Sequence, residues 1–160
     1  MRLLIAAAGR ARAGPERALA QDYLDRARRL APRLGFRGLD LVEIDESRRR
    51  EPEARRAEEA AALLSLAPAD AALIALDERG ENLPSSVFAR RLAALRDQGR
   101  PVTAFLIGGP DGHGPALRDR ADVLLAFGAA TWPHLLVRVL LAEQIYRALT
   151  ILAGHPYHRA

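Results

Sequence analysis

VLLAFGAATWPHLLVRVLLAEQIYRALTILAGHPYHR, from Val123 to Arg159, decides how the rest of the chain is read. Residues 123–127 form an apolar run the length of a buried strand. Gly128-Ala129-Ala130-Thr131-Trp132-Pro133 is a small-residue turn whose proline stands where a helix can begin. Residues 135–152 read as a long helix, apolar almost all round, with Arg138, Glu143, Gln144, Arg147 and Thr150 as a narrow polar stripe. Such a helix needs cover on two sides. One sheet covers one side, and a second chain or an unusual fold must cover the other. Residues 154–159 are a polar tail.

Upstream, runs at 3–8, 39–44, 71–76 and 102–107 read as four more strands. Between them lie helical patterns opened by prolines or serines (Pro15, Pro52, Ser85) and closed by Gly35, Pro68 and Gly99. A short helical turn over 115–120 precedes the last strand. Strands alternate with helices and the central strands are apolar throughout. That predicts an α/β fold: a parallel sheet covered by helices on both faces. No linker, repeat or low-complexity segment divides the chain, so residues 1–160 are expected to form one domain.

The 160 residues contain no cysteine, which excludes disulfides, thiolate metal sites and cysteine nucleophiles. All 24 basic residues are arginine and the net charge is +4. A modest positive excess suits a polyanionic partner, RNA above all. No apolar run is long enough to span a membrane. No membrane partner is expected, and the expected location is cytoplasmic. His113, His134, His155 and His158 show no metal-ligand spacing, so no metal is expected.

Ligands of open α/β sheets bind beyond the carboxyl ends of the strands. Three such ends carry unusual residues: Leu76-Asp77-Glu78-Arg79-Gly80, the glycine-rich run from Gly108 to Gly114, and the turn from Gly128 to Pro133. Each alone is a turn; together they outline a pocket walled by backbone. Neither a G-x-x-x-x-G-K-[ST] nor a G-x-G-x-x-G motif is present, which argues against nucleoside triphosphates and dinucleotides. An adenosine-type ligand without a pyrophosphate fits, and S-adenosylmethionine is one.

Four blocks carry a resemblance: Leu106-Ile107-Gly108-Gly109-Pro110-Asp111-Gly112; Thr131-Trp132-Pro133-His134 with Val137-Arg138-Val139; Glu143-Gln144 with Tyr146-Arg147-Ala148; and His155-Pro156-Tyr157-His158-Arg159. In this order and spacing the chain resembles the ribosomal RNA large-subunit methyltransferase H family of the SPOUT superfamily, which methylates N3 of a pseudouridine in 23S rRNA. The resemblance covers the whole chain. It implies a C-terminal trefoil knot, a homodimer packed through the last helix, and assembled ribosomes as substrate. It implies S-adenosylmethionine contacts at Leu76, Gly108, Phe127, Gly128, Ala129, Ala130, Thr131 and Trp132. The small residues of that last loop predict contacts made mainly by backbone.

Methylating an imide nitrogen requires removal of its proton. His158, Tyr157 and His134 are the catalytic candidates, unranked. Arg138, Arg159 and His155 are candidates for RNA contact; Arg138 is equally read as an interface ion-pair partner of Glu143. The tail is expected to border a cofactor pocket, its own or the partner's. The alternatives are another SPOUT enzyme acting on tRNA, and a ribosome-binding protein without catalysis.

Overall fold

The computed structural model describes residues 1–158. Five parallel strands form one sheet in the order β2-β1-β4-β3-β5. They are β1 (Arg2–Ala8), β2 (Gly38–Ile44), β3 (Ala72–Asn82), β4 (Val102–Ile107) and β5 (Val123–Ala126). The helices are α1 (Pro15–Leu30), α2 (Pro52–Ser65), α3 (Ser85–Asp97), α4 (Pro115–Arg120) and α5 (His134–Leu152), with a 3-10 turn at Ala31–Leu34. β1 and β4 lie in the middle and are buried almost throughout, as strands covered on both faces must be.

Helices α1, α3 and α5 pack on one face of the sheet, around Leu24, Phe88, Leu92, Phe105, Leu141 and Ile145. Helices α2 and α4 pack on the other, around Leu4, Leu63, Leu106 and Leu117. The chain moves one way along the sheet through α1 and α3 and the other way through α2 and α4. That face alternation is what uniformly right-handed crossovers require.

α5 lies between α1 and α3, so two helices and the sheet together cover most of its circumference. Its tie to α3 is polar at one point, where Ser85 Oγ donates to Gln144 Oε1 at 2.7 Å. Its tie to α1 includes the tilted pair of Tyr23 and Tyr146, 6.2 Å between ring centres. Cover from within the chain is therefore larger than the sequence led us to expect. Leu136 on α5 and Leu19 on α1 remain exposed, as does Trp132 before α5.

One boundary differs from expectation. Strand three does not stop at residue 76 but continues to Asn82. Leu125 of β5 pairs with both Leu76 and Glu81, so Asp77-Glu78-Arg79-Gly80 stands out of the ladder as a wide bulge. Gly80 makes this possible. A Cβ there would come within 2.5 Å of the Leu124 carbonyl carbon, backbone against backbone. The sequence shows a turn-like glycine but not the strand it presses against.

Because that contact has no flexible side chain to give way, Gly80→Ala is expected to destabilise the protein by about 1–3 kcal/mol. Chemical denaturation reads this as a lowered midpoint; an unchanged midpoint would mean that β5 can retreat without cost.

Candidate functional site

The carboxyl ends of β3, β4 and β5 open into one cleft of about 770 Å³, within the usual range for small-molecule sites. Its walls are the β3 bulge, the loop from Gly108 to Gly114 after β4, and the loop after β5, with His134 and Val137 of α5 at one end. The three strand ends singled out from the sequence thus meet.

The loop after β4 is held from behind by α2. Arg55 donates from Nε to Asp111 Oδ2 at 2.6 Å and from Nη2 to Asp111 Oδ1 at 3.2 Å. Arg55 also donates to the carbonyls of Arg49 and Arg50. Hydrogen bonding to Arg55 holds the Asp111 carboxyl below its ordinary pKa. Glu59, buried on α2, accepts from the Ser47 backbone N–H at 2.9 Å. A Cβ on Gly109 would stand 2.9 Å from Glu59 Oε2, and one on Gly108 would stand 3.0 Å from the Gly112 carbonyl carbon. Gly112 takes φ +70° where the loop turns back. The wall here is bare backbone because side chains do not fit.

His113 closes this loop. It is buried, and its Nε2–H donates to the Leu106 carbonyl at 3.0 Å. Burial pushes its pKa below the ordinary value, and Arg118 adds to the depression against the pull of Leu106 and Asp77. His113 is therefore a neutral wedge that props the loop. Asp77, at the start of the bulge, is only 7% exposed and faces Arg118 at 3.8 Å.

The loop after β5 is fastened to β3. Asn82 Oδ1 accepts from the Gly128 N–H at 2.6 Å, and Thr131 Oγ1 donates to Glu78 Oε2 at 2.9 Å. Trp132 Nε1 donates to the Phe127 carbonyl at 2.9 Å. The polar side chains of the loop are consumed in holding its shape, which leaves backbone for a ligand. Leu76, Gly108, Phe127, Gly128, Ala130, Thr131 and Trp132 all line the cleft; Ala129 is not on its wall.

The catalytic candidates are separated. His134 lines the cleft. Tyr157 and His158 do not, because the tail folds back along α5. Gly154 at φ +65° reverses the chain, with His155 N–H bonded to Thr150 O at 2.9 Å and Gly154 N–H to Ile151 O at 3.1 Å. Tyr157 then stacks on Tyr146 at 4.8 Å under the Arg147 guanidinium, and its hydroxyl donates to Glu143 Oε1 at 3.1 Å. Glu143 lies nine residues along α5 from His134, about 14 Å of helix. The expectation that the tail borders its own cleft is thus corrected. Burial, then the hydroxyl of Tyr23 and the carboxylate of Glu143, push the Tyr157 phenol above its ordinary pKa.

Of the RNA-contact candidates, His155 is exposed and its Nδ1 accepts from the Tyr157 N–H. Arg159 lies outside the described residues. Arg138 is buried. Its ion-pair partner is Glu43 at 2.5 Å, and Glu143 is taken by Arg147 at 2.8 Å. Within the chain Arg138 and Glu143 do not meet: on α5 the two are five residues apart and each has another partner. Sequence reasoning also missed His113, Glu59 and Arg55. Glu59 had a signal, an acid on the Ala60 and Leu63 face of α2.

Among the described residues no group of three metal-binding side chains occurs and no helix is long and apolar enough to cross a membrane. A family model described as predicted SPOUT methyltransferase matches residues 1–158. The ribosomal RNA large subunit methyltransferase H of Rhodopseudomonas palustris (strain BisA53) is 58% identical over 160 residues, all of both chains. That of Xanthobacter autotrophicus is likewise 58% identical over the full length of both. Among solved structures, the SpoU methyltransferase AviRb from Streptomyces viridochromogenes in complex with AdoMet aligns with a TM-score of 0.40 at 14% identity, over 92% of this chain and 59% of that one. That likeness is too distant to bear on the site.

The depressed pKa of His113 has a signed consequence. The unfolded chain takes up a proton near the ordinary value of about 6.5 and the folded chain only at lower pH, so stability falls as pH drops through that value. Denaturation between pH 7 and pH 5 should show a decline in stability from this group. His113→Gln, which keeps a donor for Leu106, should flatten it. An identical slope in the variant would assign the decline to other groups.

Proposed function

The chain belongs to the SPOUT methyltransferase family and is a methyltransferase of that class, and from that premise we propose that it methylates N3 of a pseudouridine in 23S rRNA on the assembled ribosome, in the cytoplasm, using S-adenosylmethionine. The single observation that carries the cofactor's place is the cleft of bare backbone at three adjacent strand ends. Its residues fit the ligand. Leu76, Ile107, Leu125 and Phe127 offer apolar surface for an adenine, and the peptide groups around Gly108 and Gly128–Trp132 offer donors and acceptors at close range. The RNA substrate is supported by full-length relatives that carry that name.

S-adenosylmethionine supplies a methyl group already activated on a sulfonium, so the protein's part is to position the partners and manage one proton. Of the two imidazoles on the cleft wall, His113 is buried and tied to the Leu106 carbonyl, so we assign the proton to His134 if the base comes from the same subunit. Tyr157 does not serve as a base, since its phenol holds its proton beside Glu143. Tyr157 and His158 lie away from the cleft of their own subunit, and in a homodimer they serve the partner's. Exposed Leu19 and Leu136 support such a dimer, because they sit on α1 and α5, two helices packed side by side. The trefoil knot is supported by the path of α5. The chain leaves β5 outside β3, yet α5 lies between α1 and α3, a path compatible with threading through the β3–α3–β4 loop.

Recombinant protein, S-adenosylmethionine and ribosomes from a strain lacking this enzyme should yield a 23S rRNA pseudouridine heavier by one methyl, read by mass spectrometry of nuclease digests. Methyl appearing in tRNA instead would favour the other substrate, and cofactor binding without transfer would favour a binding module. Gly108→Val should abolish cofactor binding in calorimetry while far-UV circular dichroism stays unchanged, since its side chain meets Gly112 and His113. Wild-type affinity in that variant would move the cofactor elsewhere.

A further inference from the structure

At the amino ends of the strands, opposite the cleft, stands a cluster of arginines. Residues 1–45 hold nine arginines and six carboxylates, whereas residues 46–160 hold 15 and 14, so most of the chain's positive excess is N-terminal. The fold gathers it at one edge. Arg29 stands in the last turn of α1, Arg33 in the 3-10 turn that follows, and Arg37 immediately before β2. All three are exposed. The Arg37 backbone N–H donates to the Met1 carbonyl at 2.8 Å, and the Met1 ammonium donates to the Gly35 carbonyl at 3.3 Å. Arg96, from the end of α3, reaches the same place. Its Nη1 donates to the Leu34 carbonyl at 2.6 Å, and its guanidinium lies 5.4 Å from the centre of the Phe36 ring.

A cation in the last turn of a helix is favourable, and that accounts for Arg29. It does not account for the missing counter-charge. The neighbouring Arg26 and Arg28 are matched by Asp22 and Asp25, each at 2.7 Å. Asp40 is taken by Arg2 at 3.4 Å and Asp97 by Arg96 at 2.8 Å. Asp70 stands before β3, two strands away from β1. Arg29, Arg33 and Arg37 have no ion-pair or side-chain hydrogen-bond partner among the described residues. Like charges held together in this way repel, and a polyanion relieves them.

The make-up of the surface selects the polyanion. None of the large exposed apolar residues, Leu19, Trp132 and Leu136, lies in it. A protein partner needs an apolar centre to its interface, and a membrane surface needs apolar side chains to insert. A phosphate backbone needs only charge and the guanidinium fork. β1 and β2 are seven residues long, which puts the cluster about 20 Å from the strand ends where the cleft opens. It is also apart from the leucines that support the dimer. Leu19 and Leu136 lie in early turns of α1 and α5, and from Leu19 to Arg29 is about 15 Å of helix.

We propose that this edge is a docking surface for the phosphate backbone of ribosomal RNA away from the target nucleotide, with Arg29, Arg33 and Arg37 as its contacts. The proposal rests on the reading of the protein as an rRNA methyltransferase and extends the RNA it recognises beyond the cleft.

The test combines Arg29→Gln, Arg33→Gln and Arg37→Gln in the full-length protein. The probes are unmethylated ribosomes and protein-free 23S rRNA. Co-sedimentation and filter binding measure affinity, and a labelled methyl donor measures transfer. The triple variant should bind ribosomes about tenfold or more weaker and show a KM raised to match, with kcat and cofactor affinity unchanged. The slope of log affinity against log salt should fall by about 2, three contacts at about 0.7 each on single strands. Lysine at the same three positions keeps the charge and should keep the slope. Arg90→Gln, which removes an exposed arginine from the middle of α3, should leave affinity at the wild-type level. A wild-type slope in the triple glutamine variant would overturn the proposal, as would a comparable loss in Arg90→Gln. Loss of the dimer in the triple variant by sedimentation would make the edge a seat for a second copy instead. A defect on ribosomes that is absent on protein-free 23S rRNA would assign the edge to a ribosomal protein and equally overturn the proposal. If the wild-type protein binds ribosomes but transfers no methyl to them, the proposed function fails while the binding arms still decide the docking surface.

Discussion

α5 has almost no polar face to offer water, and the rest of the molecule is arranged around hiding it. The sheet covers one side, and α1 and α3 cover the flanks through Leu24, Leu92 and the Tyr23–Tyr146 pair. To reach that slot from β5, at the edge of the sheet, the chain must cross the ends of the strands. The crossing segment is Phe127 to Pro133, and it forms one wall of the cleft. The site is thus a by-product of where α5 has to be buried. Arg138 then fixes the helix at its amino end by clasping Glu43 and the last carbonyls of β1.

The cleft also shows how a backbone wall is kept in shape without side chains in it. Restraint comes from outside: Arg55 on Asp111, Glu59 behind Gly109, and His113 wedged under Leu106 for the loop after β4. Asn82 and Glu78 hold the loop after β5. Such a frame pre-orders peptide groups before a ligand arrives, which lowers the ordering cost on binding.

Much of this was legible in the chain. Residues 3–8 and 102–107 read as central strands because an unbroken apolar run has no solvent face to alternate with. The three strand ends stood out by composition and did converge. What escaped depended on contacts remote in sequence. The bulge of Asp77 to Gly80 was read as a loop because the reason for its shape is Leu124, more than forty positions later. Glu43, the partner of Arg138, lies 95 residues away from it. The reversal of the tail rests on the left-handed Gly154, and where it aims Tyr157 depends on Tyr146 and Glu143, which present a half-buried seat that the sequence of the tail does not show.

The slot between α1 and α3 has a consequence for how the protein is made. α1 is finished by Leu30, but the helix that covers its apolar face begins at His134. The centre of the sheet joins β1 to β4, about a hundred residues apart, and Arg138 closes onto Ala8 at a separation of 130. During synthesis the first third of the chain therefore emerges with its best apolar surface uncovered. It stays so until nearly the whole polypeptide is available. High contact order of this kind slows folding and lengthens the exposure of sticky intermediates. A nascent chain that stalls before α5 has no way to bury α1, and makes a natural client for whatever holds unfinished proteins apart.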